Sequence, residues 1–237
     1  MPLATHTVKT FPTPLSGGAI DPNVVRGNDN TLRTAFNAHD ADASIHVQSG
    51  TLANRPVTSV EGATYFCTDT QDTYSYTGGV WVQSAWAHWY GTFWSGTDQT
   101  AAATNTGYVV TYGTTGLTRG VTLVDSSKVK VGYAGDYNVQ FSVQLANDDS
   151  QDKDVWLWLK KNGTNVADSG GRVSVTSKHG STKGHYIAIW NVFLTLAAND
   201  YVQLFWETTS TLVSIEHLDA AGDHPAAPSA IITINRV

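Results

Sequence analysis

The chain has 237 residues, of which 14% are charged, 41% hydrophobic and 11% aromatic, with a formal net charge of −6. That length holds one moderate domain with appendages, and the wealth of Thr, Ser, Gly and aromatic residues fits a β-rich protein rather than a helical or disordered one. The acidic balance argues against nucleic acid, no apolar run approaches the roughly 20 residues of a membrane span, and the single cysteine, Cys67, excludes an intrachain disulfide.

Residues 1–22 contain Pro2, Pro12, Pro14, Pro22 and a Gly17-Gly18 pair, which predicts an extended arm. Such an arm is either tag-like sequence or a segment that orders on a partner. The start lacks the basic-then-apolar form of a signal peptide, so a secreted product is not expected.

Residues 23–50 are expected to form a short helical neck. Val25, Leu32 and His39 recur every seven residues with Phe36 between them, a coiled-coil-like stripe. About two heptads are too short to be stable as an isolated helix. The stripe makes sense in an oligomer, with Val25, Leu32 and Phe36 meeting their copies.

Residues 51–85 read as a small β-meander. Thr64-Tyr-Phe-Cys-Thr68, Thr73-Tyr-Ser-Tyr76 and Val80-Trp-Val82 are short strands punctuated by Asp69-Thr-Gln-Asp72 and Gly78-Gly79. Cys67 is expected to be buried there and not to act as a nucleophile.

Residues 86–237 carry the main pattern. The run from Ala85 to Trp94 reads as a strand with apolar groups on both sides. Between positions 137 and 145, Tyr137, Val139, Phe141, Val143 and Leu145 fall on one face and Asn138, Gln140, Ser142 and Gln144 on the other. This period of two marks a strand packed on one side only. Val155-Trp-Leu-Trp-Leu159 is apolar on both faces and leads to Asn162-Gly163, a two-residue hairpin signal. In the next run Tyr201 and Phe205 share one face, while Val202, Leu204 and Trp206 share the other. A lone sandwich covers only the inner face of each sheet. The second apolar face, with Trp156, Trp158, Tyr201 and Phe205, is therefore expected to meet another copy of the chain, unless loops or a helix of the same chain cover it.

Two resemblances follow from these residues. Arg55-Pro56, Gly62, Tyr65-Phe66, Thr68-Asp69-Thr70, Tyr74, Tyr76, Gly78-Gly79 and Trp81 resemble a small module of bacteriophage tail-fibre and tail-associated proteins. Gly135-Asp-Tyr137, Lys161-Asn162-Gly163, the Leu194, Leu196, Asp200, Val202 spacing and Ile231-Ile-Thr-Ile234 resemble the complement globular-head and tumour-necrosis-factor-like superfamily. The second resemblance implies a mostly β protein with an antiparallel jelly-roll sandwich head, trimeric, here preceded by a short helix and a small β-meander.

If each strand crosses the sandwich once, the tight connections at Gly135-Asp136, Asn162-Gly163 and Asn199-Asp200 share one end. The long polar ones, 147–154, 177–184 and 208–228, gather at the other. Loops on a rigid scaffold are where recognition usually lives. The candidate receptor-binding residues are Asp148, Asp149, Asp152, Lys178, His179, Lys183, Glu216 and His217, with Asp219, Asp223 and His224 beyond them. Mixed charge with hydroxyls suits a polysaccharide or a protein. Asp148, Asp149, Asp152 and Asp154 could offer oxygen ligands but lack a defined spacing, so no metal and no cofactor are expected. No HExxH, phosphate-binding Gly loop or nucleophile elbow is present, and no enzyme is expected.

The expectation is a virion structural protein made in the host cytoplasm. It would be a homotrimeric phage fibre or tail-tip protein, attached through residues 1–22 to other virion proteins of the tail, neck or baseplate. Its tip loops would bind host-surface polysaccharide or protein. The alternative is a head or neck decoration with a purely structural role.

Overall fold

The computed structural model describes residues 22–40, 46–85 and 87–237. The predicted arm lies outside them apart from Pro22. Helix α1 (Pro22–Asp40) takes up the first part of the expected neck, residues 23–40 of 23–50. Every described side chain along it, residues 29–39, is exposed, Leu32 and Phe36 among them. The side chain of Val25 lies outside the described residues.

Four short strands build the first sheet, in the order β1 (Val47–Gly50), β2 (Thr64–Cys67), β3 (Thr73–Thr77) and β4 (Val80–Ala85). The last three are the predicted meander. β1, counted with the neck in the sequence reading, instead pairs parallel with β2. Tyr65, Cys67 and Tyr76 are buried, and Trp81 packs edge-on against Tyr65 and Tyr76 while its Nε1 donates to the Pro56 carbonyl at 2.7 Å.

The head begins with β5 (Tyr90–Ser95), β6 (Gln99–Thr100), β7 (Tyr108–Val109), β8 (Thr114–Arg119), β9 (Val121–Val124) and β10 (Lys128–Val131). It continues through β11 (Gly135–Asn147), β12 (Lys153–Lys161), β13 (Thr164–Asn165), β14 (Gly171–Val175) and β15 (Gly184–Leu196). It closes with β16 (Tyr201–Thr208), β17 (Val213–Ile215) and β18 (Ala230–Arg236). The pairs are nested: β12 with β14, β11 with β15, β10 with β16, β5 with β18, all antiparallel. A hairpin whose arms pair in this nested way and alternate between two sheets is a rolled-up ribbon, the jelly roll. One sheet runs β15-β11-β18-β5-β8, and the other runs β14-β12-β16-β10-β9.

The alternation read from the sequence sets the core. Tyr137, Val139, Phe141, Val143 and Leu145 join Val155, Leu157, Leu159, Val202, Leu204 and Trp206 in one buried cluster. Asn162 and Gly163 both have positive φ, 50° and 83°, as the tight hairpin turn requires. The strand expected from Ala85 starts only at Tyr90. Trp89 leaves the ladder to stack on Tyr133 at 4.3 Å, and its carbonyl accepts the Arg236 N–H at 2.8 Å.

The meander docks on the head at its tight-turn end. Arg236, at the end of β18, donates Nη1 to Asp72 Oδ1 at 2.7 Å and to the Thr70 carbonyl at 3.0 Å, and Nη2 to Asp72 Oδ2 at 2.5 Å. Nearby, Asn162 Nδ2 donates to Asp200 at 2.7 Å and Thr195 Oγ1 donates to Asp136 at 2.6 Å.

Candidate functional site

The three long connections meet at the end of the sandwich opposite the meander. Asn147, fully buried at the end of β11, is the keystone. Its Nδ2 donates to the carbonyls of Gln151, Val175 and Thr176 at 2.9–3.1 Å, and its Oδ1 accepts the Asp149 N–H at 2.9 Å. One side chain thereby ties residues 147–154 to the start of 177–184. Three further braces cross the same gap. Asp152 accepts the Ser177 N–H at 2.8 Å, the Asp149 carbonyl accepts the Lys178 N–H at 2.9 Å, and Lys178 Nζ reaches Asp148 at 3.0 Å.

Asp149 points the other way, towards the third loop. Ser210 Oγ donates to its Oδ2 at 2.9 Å and Lys153 stands at 3.3 Å. These bonds, led by that from Ser210, hold the Asp149 carboxyl below its ordinary value despite desolvation.

Lys183, Glu216 and His217 form a second cluster. Lys183 Nζ donates to Glu216 Oε1 at 2.5 Å, and His185 Nδ1 lies 3.4 Å from Oε2. The Glu216 bond pushes the Lys183 ammonium up. Asp98 accepts the His217 N–H at 2.7 Å, and His217 Nε2 lies 3.5 Å from the exposed Asp219. Residues 218–227 form a small arm through the paired backbones of Leu218 and Ala227 and of Ala221 and His224, with Asp223 and His224 exposed on it. His179 sits on a miniature turn closed by backbone bonds to Thr182 at 2.8 and 3.0 Å.

The tip thus brings the eight sequence-predicted residues to one end. Asp148, Asp149, Asp152 and Lys178 hold the loops to each other, Lys183, Glu216 and His217 form a polar ledge beside them, and His179 stands on its own turn. Sequence reasoning missed Asp98 and Ser210, which reach the tip from distant segments with no local signal. Among the described residues no group of three His, Cys, Asp or Glu stands close enough to hold a metal ion.

Two further surfaces differ sharply in charge. On the outward face of β15-β11-β18-β5, the positions level with Asn138 to Gln144 are Asn, Gln, Ser, Thr, Ile, Phe, Tyr or Trp, and none is charged. Ile187, Ile189 and Phe193 on β15 are 58%, 70% and 63% exposed, and Ile231 of β18 and Ile189 line a shallow depression with Gln140 and Ser142.

The outward face of the other sheet carries Trp156, Trp158 and Phe205 among charges. Arg172 lies 5.8 Å from the Trp156 ring, Lys160 lies 4.1 Å above Phe205, and Lys128 lies 5.4 Å from the Tyr201 ring. Cations seated on rings shield apolar area while keeping their own hydration. Of the predicted interface residues, Trp156, Trp158, Tyr201 and Phe205 therefore stand on a charged, cation-covered face, and the uncharged apolar face belongs to the opposite sheet.

No protein-family model matches the chain, and no curated protein matches it. Among solved structures, the crystal structure of murine APRIL superposes with a TM-score of 0.41 at 12% identity, covering 64% of this chain and 100% of that one. At that score the likeness carries no argument; the fold rests on the strand order and register.

Proposed function

We propose that this protein is a trimeric virion fibre or tail-tip protein of a bacteriophage, whose head binds the host surface through the loops of its tip. The observation that carries the reading is polarity. Three long polar loops crowd one end of the sandwich, braced by Asn147, while the meander is clamped to the other end by Asp72 and Arg236. A stalk on one end and braced loops on the other is the layout of an attachment head. The likeness of residues 55–81 to a tail-fibre module supports the viral setting.

The trimer in this proposal uses the uncharged face of β15-β11-β18-β5. A patch rich in Ile187, Ile189 and Phe193 and free of charge is what a subunit interface buries. The exposed Leu32 and Phe36 of α1, four residues apart and so on one helix face, meet their counterparts in the same assembly. Three tips on one body raise avidity without a tight single site.

The test replaces residues 147–154 or 177–184 with a short Gly-Ser linker in the virion-borne protein. Loss of adsorption with particles and oligomers intact is the expected result. Unchanged adsorption by both variants would overturn the receptor role and leave a decoration.

A further inference from the structure

The flank of the head carries a groove that is separate from the tip and does not depend on the viral reading. It has a volume of about 300 Å³ and is lined by Trp156, Leu157, Trp158, Asn165, Gly170 and Glu207. That is at the small end of ligand sites. Trp156 and Trp158 alternate on one strand, so both rings face outward about 7 Å apart along β12. Trp156 is 44% exposed.

The Trp158 ring is held rather than loose. Trp158 Nε1 donates to Asn165 Oδ1 at 3.0 Å, and the ring lies tilted on Phe205 with centroids 5.8 Å apart. Gly107 passes beneath it so closely that a Cβ there would stand 3.0 Å from the indole. Trp156 is flanked by Arg172 and, across the ladder, by Glu207. The Glu207 carboxylate has no hydrogen-bond or ion-pair partner among the described residues, and neither has the Asn165 amide nitrogen.

The groove therefore presents two outward aromatic plates, that of Trp158 fixed, with an open acceptor, an open amide donor and a guanidinium around them. A pyranose ring has the matching form, with an apolar C–H face and a rim of hydroxyls. We infer that this groove binds a neutral saccharide chain, with the C–H faces of successive sugar rings stacked on Trp156 and Trp158 and with Glu207, Asn165 and Arg172 holding hydroxyls. The unpaired Glu207 carboxylate disfavours acidic sugars and nucleic acid by repulsion.

The test titrates the full chain with cellohexaose, maltohexaose, laminarihexaose and chitohexaose, with hexagalacturonate as the charged control. Calorimetry reads affinity and saturation-transfer NMR reads the sugar protons in contact. The expected result is saturable binding of at least one neutral oligosaccharide, with transfer concentrated on ring C–H protons and no binding of the galacturonate. Trp156→Ala and Trp158→Ala should each weaken it about tenfold, the worth of one stacking plate, and Glu207→Gln should weaken it without changing the melting temperature. Trp156→Ala and Glu207→Gln keep the test decisive if Trp158→Ala fails to fold. The inference is overturned if none of the four neutral probes binds, if binding survives Trp156→Ala and Glu207→Gln, or if Trp156→Ala alters the mass of the assembly, which would make the face a subunit interface.

Discussion

Arg236 and Asp72 stand 164 residues apart in sequence and form a bidentate pair with side chains only 9% and 1% exposed. The Asp72 bond, working against burial, raises the Arg236 pKa above its ordinary value, so the guanidinium stays charged inside the junction between meander and head. Removing one partner from such a pair strands the other charge. Asp72→Ala should cost about 3–5 kcal/mol of stability and split a single unfolding transition into two in a denaturant melt. A single transition at the wild-type midpoint would mean that the junction is held by something else.

The charge contrast between the two sheet faces gives a paired prediction. Ile189→Glu places a carboxylate in the uncharged face, where burial against a second copy leaves it without a partner. Its mass by light scattering should fall to that of the 25.5 kDa chain, while Trp156→Glu should keep the wild-type mass. The reverse pattern would move the interface to the tryptophan face.

Bracing and exposure separate two kinds of tip residue. Asn147→Ala leaves several buried carbonyls without a donor and should cost about 1–3 kcal/mol. Limited proteolysis should then cut within 147–154 and 177–184 sooner than in the wild type. Lys178→Ala removes one partly exposed ion pair and should change stability by less than about 1 kcal/mol. If Lys178→Ala nonetheless lowers adsorption while its melt is unchanged, the Lys178 ammonium contacts the host directly.

Acid should loosen both ends of the head. Ser210 and Lys153 hold Asp149 below its ordinary value. Burial pushes Asp200 up, but bonds from Asn162, the Ala197 N–H and Lys161 outweigh it and leave that carboxyl depressed. A depressed folded-state value contributes stability above the unfolded value, about 3.9, and that stability is lost as pH falls through the folded value. The melting temperature should therefore drop steeply below about pH 4, and Ser210→Ala should flatten that drop. An equal drop in the variant would assign the acid sensitivity to other carboxylates.

Much of the head was legible because its strands alternate strictly. Tyr137 through Leu145 announced a one-sided strand, and Asn162-Gly163 announced the turn whose φ values the structure carries. The doubly apolar run from Val155 to Leu159 was also legible, but its outer environment was not. Only the register of β14 and β16 sets Arg172 and Glu207 beside Trp156 and Lys160 above Phe205. Local pattern carries no information about such cross-strand neighbours. The tip loops could be assigned to one end by counting crossings, yet Asp98 and Ser210, which hold His217 and Asp149, arrive from far along the chain. The Trp89 departure was missed for a related reason: its stacking partner, Tyr133, lies in another connection.

The nesting of the strand pairs fixes the order in which the head can mature on the ribosome. The innermost hairpin, β12 with β14, has both arms early. β5, the first strand of the head, must wait unpaired on that side until β18 emerges, and Asp72 must wait longer still for Arg236. Pairings of such long sequence separation form late and slowly. A chain interrupted before residue 230 would expose the edge of β5 that β18 otherwise covers and leave the meander undocked. Synthesis that stops short thus yields a recognisably unfinished chain, one prone to edge-to-edge association.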